Sequence, residues 1–126
     1  MRPKPRPGAA PEEANIVTRA TLRAADRLRI KNTALAKIIG LSEPTVSRMR
    51  KGEFRLDPGQ KAFELAILFV RFYRSLDAIV GGSDAVAADW MRNKNDVLGS
   101  TPLDLIQTVA GLANAIEYLD SRRAPV

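Results

Sequence analysis

The side chains able to do chemistry in this chain are arginines, lysines, carboxylates and hydroxyls, because its 126 residues include no histidine and no cysteine. Disulfides are excluded and the usual zinc ligands are missing. So are the commonest general base and the best nucleophile. An enzyme would have to work with Asp84, Asp89, Asp96 and Asp104. Helix capping and solvated faces account for those carboxylates, and nothing in their spacing pairs them for acid–base work. The chain is therefore expected to be a non-enzyme with neither cofactor nor metal, and its chemistry to be the recognition of charge.

Two groups of residues could do that recognising. The first runs from Ser42 to Arg55. Ser42 and the first backbone N–H groups of the helix it begins are placed to face a phosphate. Glu43, Thr45, Ser47 and Arg48 lie on a short helix, where Glu43, Thr45 and Arg48 can point at base edges. Arg48 is the natural reader of guanine, since a guanidinium fits its O6 and N7. Arg50, Lys51 and Arg55 are better placed for phosphates, through contacts that weaken steeply with salt. Pro44 interrupts this reading surface, because its ring has no hydrogen-bonding group with which to contact a base. The second group is Trp90, Asn95 and the terminal run Asp120, Ser121, Arg122, Arg123, Ala124, Pro125 and Val126. Pro125 stops any helix, so this end is expected to be a short, basic, extended tail. It either inserts into a cleft of another protein or is a solvated chain end.

Charge placement agrees with two different jobs. Residues 1–60 hold 13 Lys+Arg against 6 Asp+Glu, whereas residues 61–126 hold 7 against 8. A polyanion would bind the first half. The longest apolar run, Leu65 to Val70, has six residues between Glu64 and Arg71. A membrane span needs about 20. No secretory signal is legible near Met1, and the expected location is the cytoplasm.

The elements that must position these groups are all helical, since no alternating strand pattern of useful length occurs. Met1 to Pro11 carries four of the eight prolines plus Arg2, Lys4 and Arg6. Residues 1–14 are accordingly expected to form a disordered basic arm, either adding phosphate contacts or merely solvated. Val17, Ala20 or Thr21, Ala24 and Leu28 give one apolar stripe to a helix over residues 15–30. Asn32 is a candidate cap for a second helix that Gly40 ends, and Ser42 for a third that Gly52 ends. Asp57, with Pro58 after it, should cap a long apolar helix reaching Val80 and stopped by Gly81 and Gly82. Phe69, Phe72 and Tyr73 crowd that helix beyond what one small core should accept, which points to a homodimer with this helix or the C-terminal lobe at the two-fold. Ser83 should cap a short helix ending near Arg92. Thr101-Pro102-Leu103-Asp104 has the form of a capping box. It opens a helix to about Thr108, and a last one runs from Gly111 to about Ser121. The expected architecture is all-α: an arm (1–14), a helix-turn-helix region with the long helix (15–82), and a small C-terminal lobe (83–126).

The helix-turn-helix is quantitative. With Asn32 as the first of about twenty motif positions, Ala36 falls where the helices approach most closely and Gly40 in the turn that needs positive φ. Leu35, Ile39, Leu41, Val46 and Met49 fall on the buried faces. The motif either reads DNA or survives only for packing. The string LAKIIGLSEPTVSRMRKG also resembles the helix-turn-helix of Cro- and Xre-type repressors, which implies a third helix lying in the major groove of operator DNA.

Further on, WMRNKNDVLGSTPLDLIQTVAG combines a tryptophan, an asparagine-bearing loop, L-G-x-x-P-L-D-L-I and a glycine seven residues after the Asp. Over roughly Asp84 to Asp120 it resembles the C-terminal domain of the Xre/MbcA/ParS antitoxins. The resemblance implies a bacterial type II antitoxin that neutralises a partner toxin, usually a RES-domain protein that consumes NAD, and that represses its own operon. The arginines of the tail would then suit a site accepting a dinucleotide phosphate ester. The alternative is a stand-alone dimeric Xre-type repressor.

Overall fold

The computed structural model describes residues 9–123, which form seven helices with no strand among them. They are α1 (Ala9–Arg27), α2 (Asn32–Ile39), α3 (Glu43–Arg50), α4 (Lys61–Ile79), α5 (Asp84–Arg92), α6 (Pro102–Leu105) and α7 (Val109–Arg123). The all-α expectation holds.

α1 starts six residues earlier than its apolar stripe indicates, so Ala9 to Ala14 belong to a helix and not to an arm. Pro11 allows this because the N–H groups of a first turn have no intrahelical partner. Met1 to Gly8, the rest of the expected arm, lie outside the described residues. Ala14, Thr18, Thr21, Ala24, Ala25 and Leu28 are buried. The hydroxyl of Thr18 accepts a hydrogen bond from the Leu56 N–H at 2.9 Å, pinning the loop before α4 to the middle of α1.

α2 and α3 pack as the motif requires. Leu35, Ala36, Ile39, Val46 and Met49 are buried, and Leu41 packs on the same core. Gly40 has φ 72° and ψ 35° and returns its N–H to the Ala36 carbonyl. A residue with a Cβ would be strained in that left-handed turn. Ser42 caps α3 as expected, its Oγ accepting from the Thr45 N–H at 3.3 Å. Asn32 does not cap α2. Lys31 holds the cap position with no side-chain bond, and the Asn32 side-chain oxygen Oδ1 accepts from Arg50 instead.

α4 is the axis of the molecule, with α1, α2, α5 and α7 packed around it. It begins at Lys61, after Gln60. Asp57 turns its carboxylate onto the Gly59 N–H at 3.0 Å, a local Asx turn ahead of the helix and not its cap. Ala62, Phe63, Leu65, Ala66, Phe69, Phe72 and Leu76 are buried along it. Full burial of each phenylalanine contributes about 1.5–3 kcal/mol. The crowding expected on sequence does not arise: Phe69 and Phe72 are both 0% exposed within a single chain. Tyr73 is half-buried, its hydroxyl accepting from Arg27 at 3.2 Å. Helices on several sides of α4 provide the room, so the aromatics of α4 need no second chain to cover them.

The C-terminal lobe folds back on α4. Ser83 caps α5 through the Val86 N–H at 3.2 Å. Thr101 occupies the α6 cap position, but its side chain makes no cap bond, so the expected capping box does not close. α6 is one turn long, and α7 starts at Val109 and continues through Arg123. Gly111 explains the tight junction. A Cβ there would lie 1.9 Å from the Leu105 carbonyl oxygen, so the chain around α6 packs directly on the α7 backbone.

Candidate nucleic-acid and partner-protein interfaces

On the outer face of α3, three polar side chains form a chain of hydrogen bonds. The Ser42 and Thr45 hydroxyls are 2.8 Å apart, and Arg48 Nη2 donates to Thr45 Oγ1 at 3.1 Å. Arg48 is exposed and forms no ion pair among the described residues. Its guanidinium is thus oriented along the helix with donors left for an incoming acceptor. Glu43 and Pro44 are exposed beside it, and Ser47 is half-buried. Pro44 has no N–H and the Thr45 N–H is taken by Ser42, so in the first turn of α3 the Glu43 N–H is the donor left for a phosphate.

Arg50 behaves differently from its sequence expectation. It donates to Asp26 at 2.8 Å and to the Asn32 side chain, tying α1, α2 and α3 together. A guanidinium held this way fixes α3 against α1 and α2 and has fewer donors left for a phosphate. Lys51 and Arg55 are exposed. Sequence spacing alone could not have found this joint, because its partners lie 24 and 18 residues away.

A second joint missed on sequence connects the head to the lobe. Arg92, at the end of α5, donates to the Leu28 carbonyl at 3.0 Å and to the Arg29 carbonyl. These carbonyls follow the C-terminus of α1, where a cation is favoured. Arg29 itself has φ 57°.

In the lobe, Trp90 is half-buried and its ring lies 6.2 Å from that of Phe72. Asn95 organises the loop. Its side-chain oxygen accepts from the Val97 N–H at 2.9 Å and the Leu98 N–H at 3.0 Å, and its backbone bridges Ser100. Asp120 faces α4, accepting from Arg71 at 2.7 Å and from Ser75 at 3.0 Å. Arg123 donates to the same Ser75 hydroxyl at 3.1 Å. Ser121 bonds back to the Tyr118 carbonyl at 2.8 Å, and the Arg122 guanidinium lies 5.5 Å from the Tyr118 ring centre. Ser121 is in α7 as expected, and Arg122 and Arg123 continue its last turn instead of starting an extended tail. The arginines extend α7 because each finds a partner on a helix. Ala124, Pro125 and Val126 lie outside the described residues.

The Arg71 hydrogen bond holds the Asp120 carboxyl below the ordinary carboxylate range, against the opposing effect of burial and with help from Ser75. A depressed folded-state pKa stabilises above the unfolded value and loses that stabilisation as pH falls through the folded one. Asp120→Asn should then cost about 0.5 kcal/mol at neutral pH, the scale of a part-exposed pair. The difference in melting temperature from the parent should close in acid, below that depressed value. A gap that stays constant down to strong acid would show that the ion pair does not stabilise α7.

No helix among the described residues is long and apolar enough to cross a membrane. Comparison with known families divides the chain at α4. Residues 7–71 match the antitoxin Xre-like helix-turn-helix domain, and residues 75–124 match the antitoxin Xre/MbcA/ParS C-terminal toxin-binding domain. A search of curated proteins finds no match. The first matched segment contains the motif helices and Arg48; the second contains Trp90, the Asn95 loop, Gly111 and Asp120. With a helix-turn-helix head and a toxin-binding lobe sharing α4, the chain belongs to the Xre-like antitoxins and has the make-up of a type II antitoxin.

Proposed function

We propose that the chain neutralises a RES-domain, NAD-consuming toxin through its C-terminal lobe and binds its own operator as a homodimer to repress its operon. The observation that carries the reading is the separation of two surfaces. Arg48, Thr45 and Ser42 present an exposed polar face on α3, while the segment matching a toxin-binding domain is built from other helices. The RES identity rests on the antitoxin resemblance. Homodimerisation rests on operator geometry, in which paired recognition helices meet major grooves about 34 Å apart. Since Phe69 and Phe72 of α4 are covered within one chain, they do not call for a second copy, and the C-terminal lobe, with exposed Val86, Val97 and Val109, is the surface we assign to the two-fold.

The decisive experiment is co-expression with a RES-type protein encoded next to this chain, followed by affinity capture and a growth assay. Capture and rescue are expected. Deleting residues 121–126 should abolish rescue while leaving DNA binding intact. Arg123→Ala, which removes the bond to Ser75 and one charge beside Asp120, should weaken rescue less than the deletion does. If the deletion neutralises as well as the full chain, contacts around Trp90 and Asn95 carry the inhibition. If the full chain neither captures nor rescues, the toxin is of another kind or the chain is a stand-alone repressor.

A further inference from the structure

A groove of about 460 Å³ runs between α1, α4 and the end of α7, apart from the α3 face and from the Trp90–Asn95 region. Its floor is aliphatic, made by Ile16, Val17, Ala20, Ile67 and Val70, and its rim carries Arg71, Arg74, Arg123 and Asp120. Ile16 is 52% exposed and Ile67 45% exposed, so two large aliphatic side chains line an open groove. Such a surface rimmed by polar groups is characteristic of an interaction site.

The rim decides what fits. Three guanidiniums face one carboxylate. Asp120 already sits between Arg71 and Ser75, with Arg123 on the same hydroxyl, which shows the ligand chemistry this rim accepts. Arg74 is exposed and has no hydrogen bond or ion pair among the described residues. The groove thus has an apolar floor and an uncompensated cationic edge. A second copy of the same face carries the same three arginines against one carboxylate that is already held, so it offers Arg74 no spare acceptor and a like-sign rim that opposes association. The basic segment Arg2, Lys4 and Arg6 meets the same objection.

We propose that this groove receives an amphipathic helix of the toxin with an aliphatic stripe and an acidic flank. The stripe packs on Ile16, Ile67 and Val70, and a carboxylate pairs with Arg74. The mode is that of a helix laid in a hydrophobic groove. The site lies on the seam between the matched segments 7–71 and 75–124, so the toxin would hold α1 and α4 of the DNA-binding segment as well as the lobe. The inference rests on toxin binding by this chain, as proposed above.

The test uses the full-length chain, the co-expressed neighbouring toxin, and the variants Ile67→Glu and Arg74→Glu. Both positions are exposed and outside the Asp120 joint, so thermal melting and promoter binding should match the parent. Each variant is expected to weaken the toxin complex at least about tenfold by calorimetry, and Arg74→Lys should retain most of the affinity. If the parent binds the toxin and both Glu variants bind it equally well, the groove proposal is overturned while toxin binding stands. If the parent binds no toxin, the partner assignment fails and the groove proposal with it. If the variants leave toxin affinity unchanged and convert a dimer to the 13.8 kDa species in sedimentation, the occupant is a second copy and the proposal is overturned.

Discussion

Replacing Gly111 with alanine is expected to destabilise the protein by about 2 kcal/mol, although alanine is the better helix former. The intrinsic gain on going from Gly to Ala inside a helix is about 1 kcal/mol. Against it stands a Cβ placed 1.9 Å from the Leu105 carbonyl oxygen, 2.7 Å from its carbon and 2.9 Å from the Thr108 hydroxyl. Two of those atoms are backbone and cannot rotate away. α6 would have to lift off α7, near the buried Ile106, Leu112 and Ala115. Overpacking of this kind costs about 1–3 kcal/mol and occasionally more, so the clash outweighs propensity. Thermal or urea unfolding reads the result, with Ala113→Gly on the exposed side of the same helix as the propensity control. A Gly111→Ala protein as stable as its parent would mean that α6 and α7 are not in the contact described. The same substitution should weaken toxin capture, because the toxin-binding segment is the part that loosens.

The second large effect is on DNA. Arg48→Ala should weaken binding to the chain's own promoter by about 1–3 kcal/mol and relax preference at one position per half-site. Lys51→Ala should weaken binding to all sequences alike and flatten the salt dependence. Arg50→Ala should fall in neither class. It removes the joint to Asp26 and Asn32 and should lower the melting temperature along with DNA affinity. Fluorescence anisotropy on promoter and scrambled duplexes over a range of salt separates the three. If Arg48→Ala leaves promoter binding unchanged, α3 is not the reading helix. None of the three changes should affect toxin neutralisation.

Sequence by itself determined those parts of this protein that depend on near neighbours. A Ser before Glu43 or Asp84 can reach an N–H three residues on, whatever the rest of the chain does, so Ser42 and Ser83 cap where expected. Gly40 ends α2 because the turn needs positive φ. The spacing of Leu35, Ala36, Ile39, Val46 and Met49 specifies two packed helices, and the order of unlike residues from Trp90 to Gly111 marks the toxin-binding segment. Local signals failed where a distant group offered a better partner or where alternative local geometries were close in energy. Asn32 and Asp57 are both good cap residues, yet one is drawn to Arg50 and the other closes its own turn. Arg122 and Arg123 look like a tail until Tyr118 and Ser75 are brought within reach. Tertiary structure alone decided which charges are spent inside the molecule and which face outward. Arg50, Arg92 and Asp120 find partners 24, 64 and 49 residues away. No spacing rule spans such separations, because packing of α3 and α5 against α1 and of α7 against α4 creates those neighbours. The same packing leaves Arg48 and Arg74 without an ion pair among the described residues, one on α3 and one on the groove, since neither has a carboxylate brought beside it.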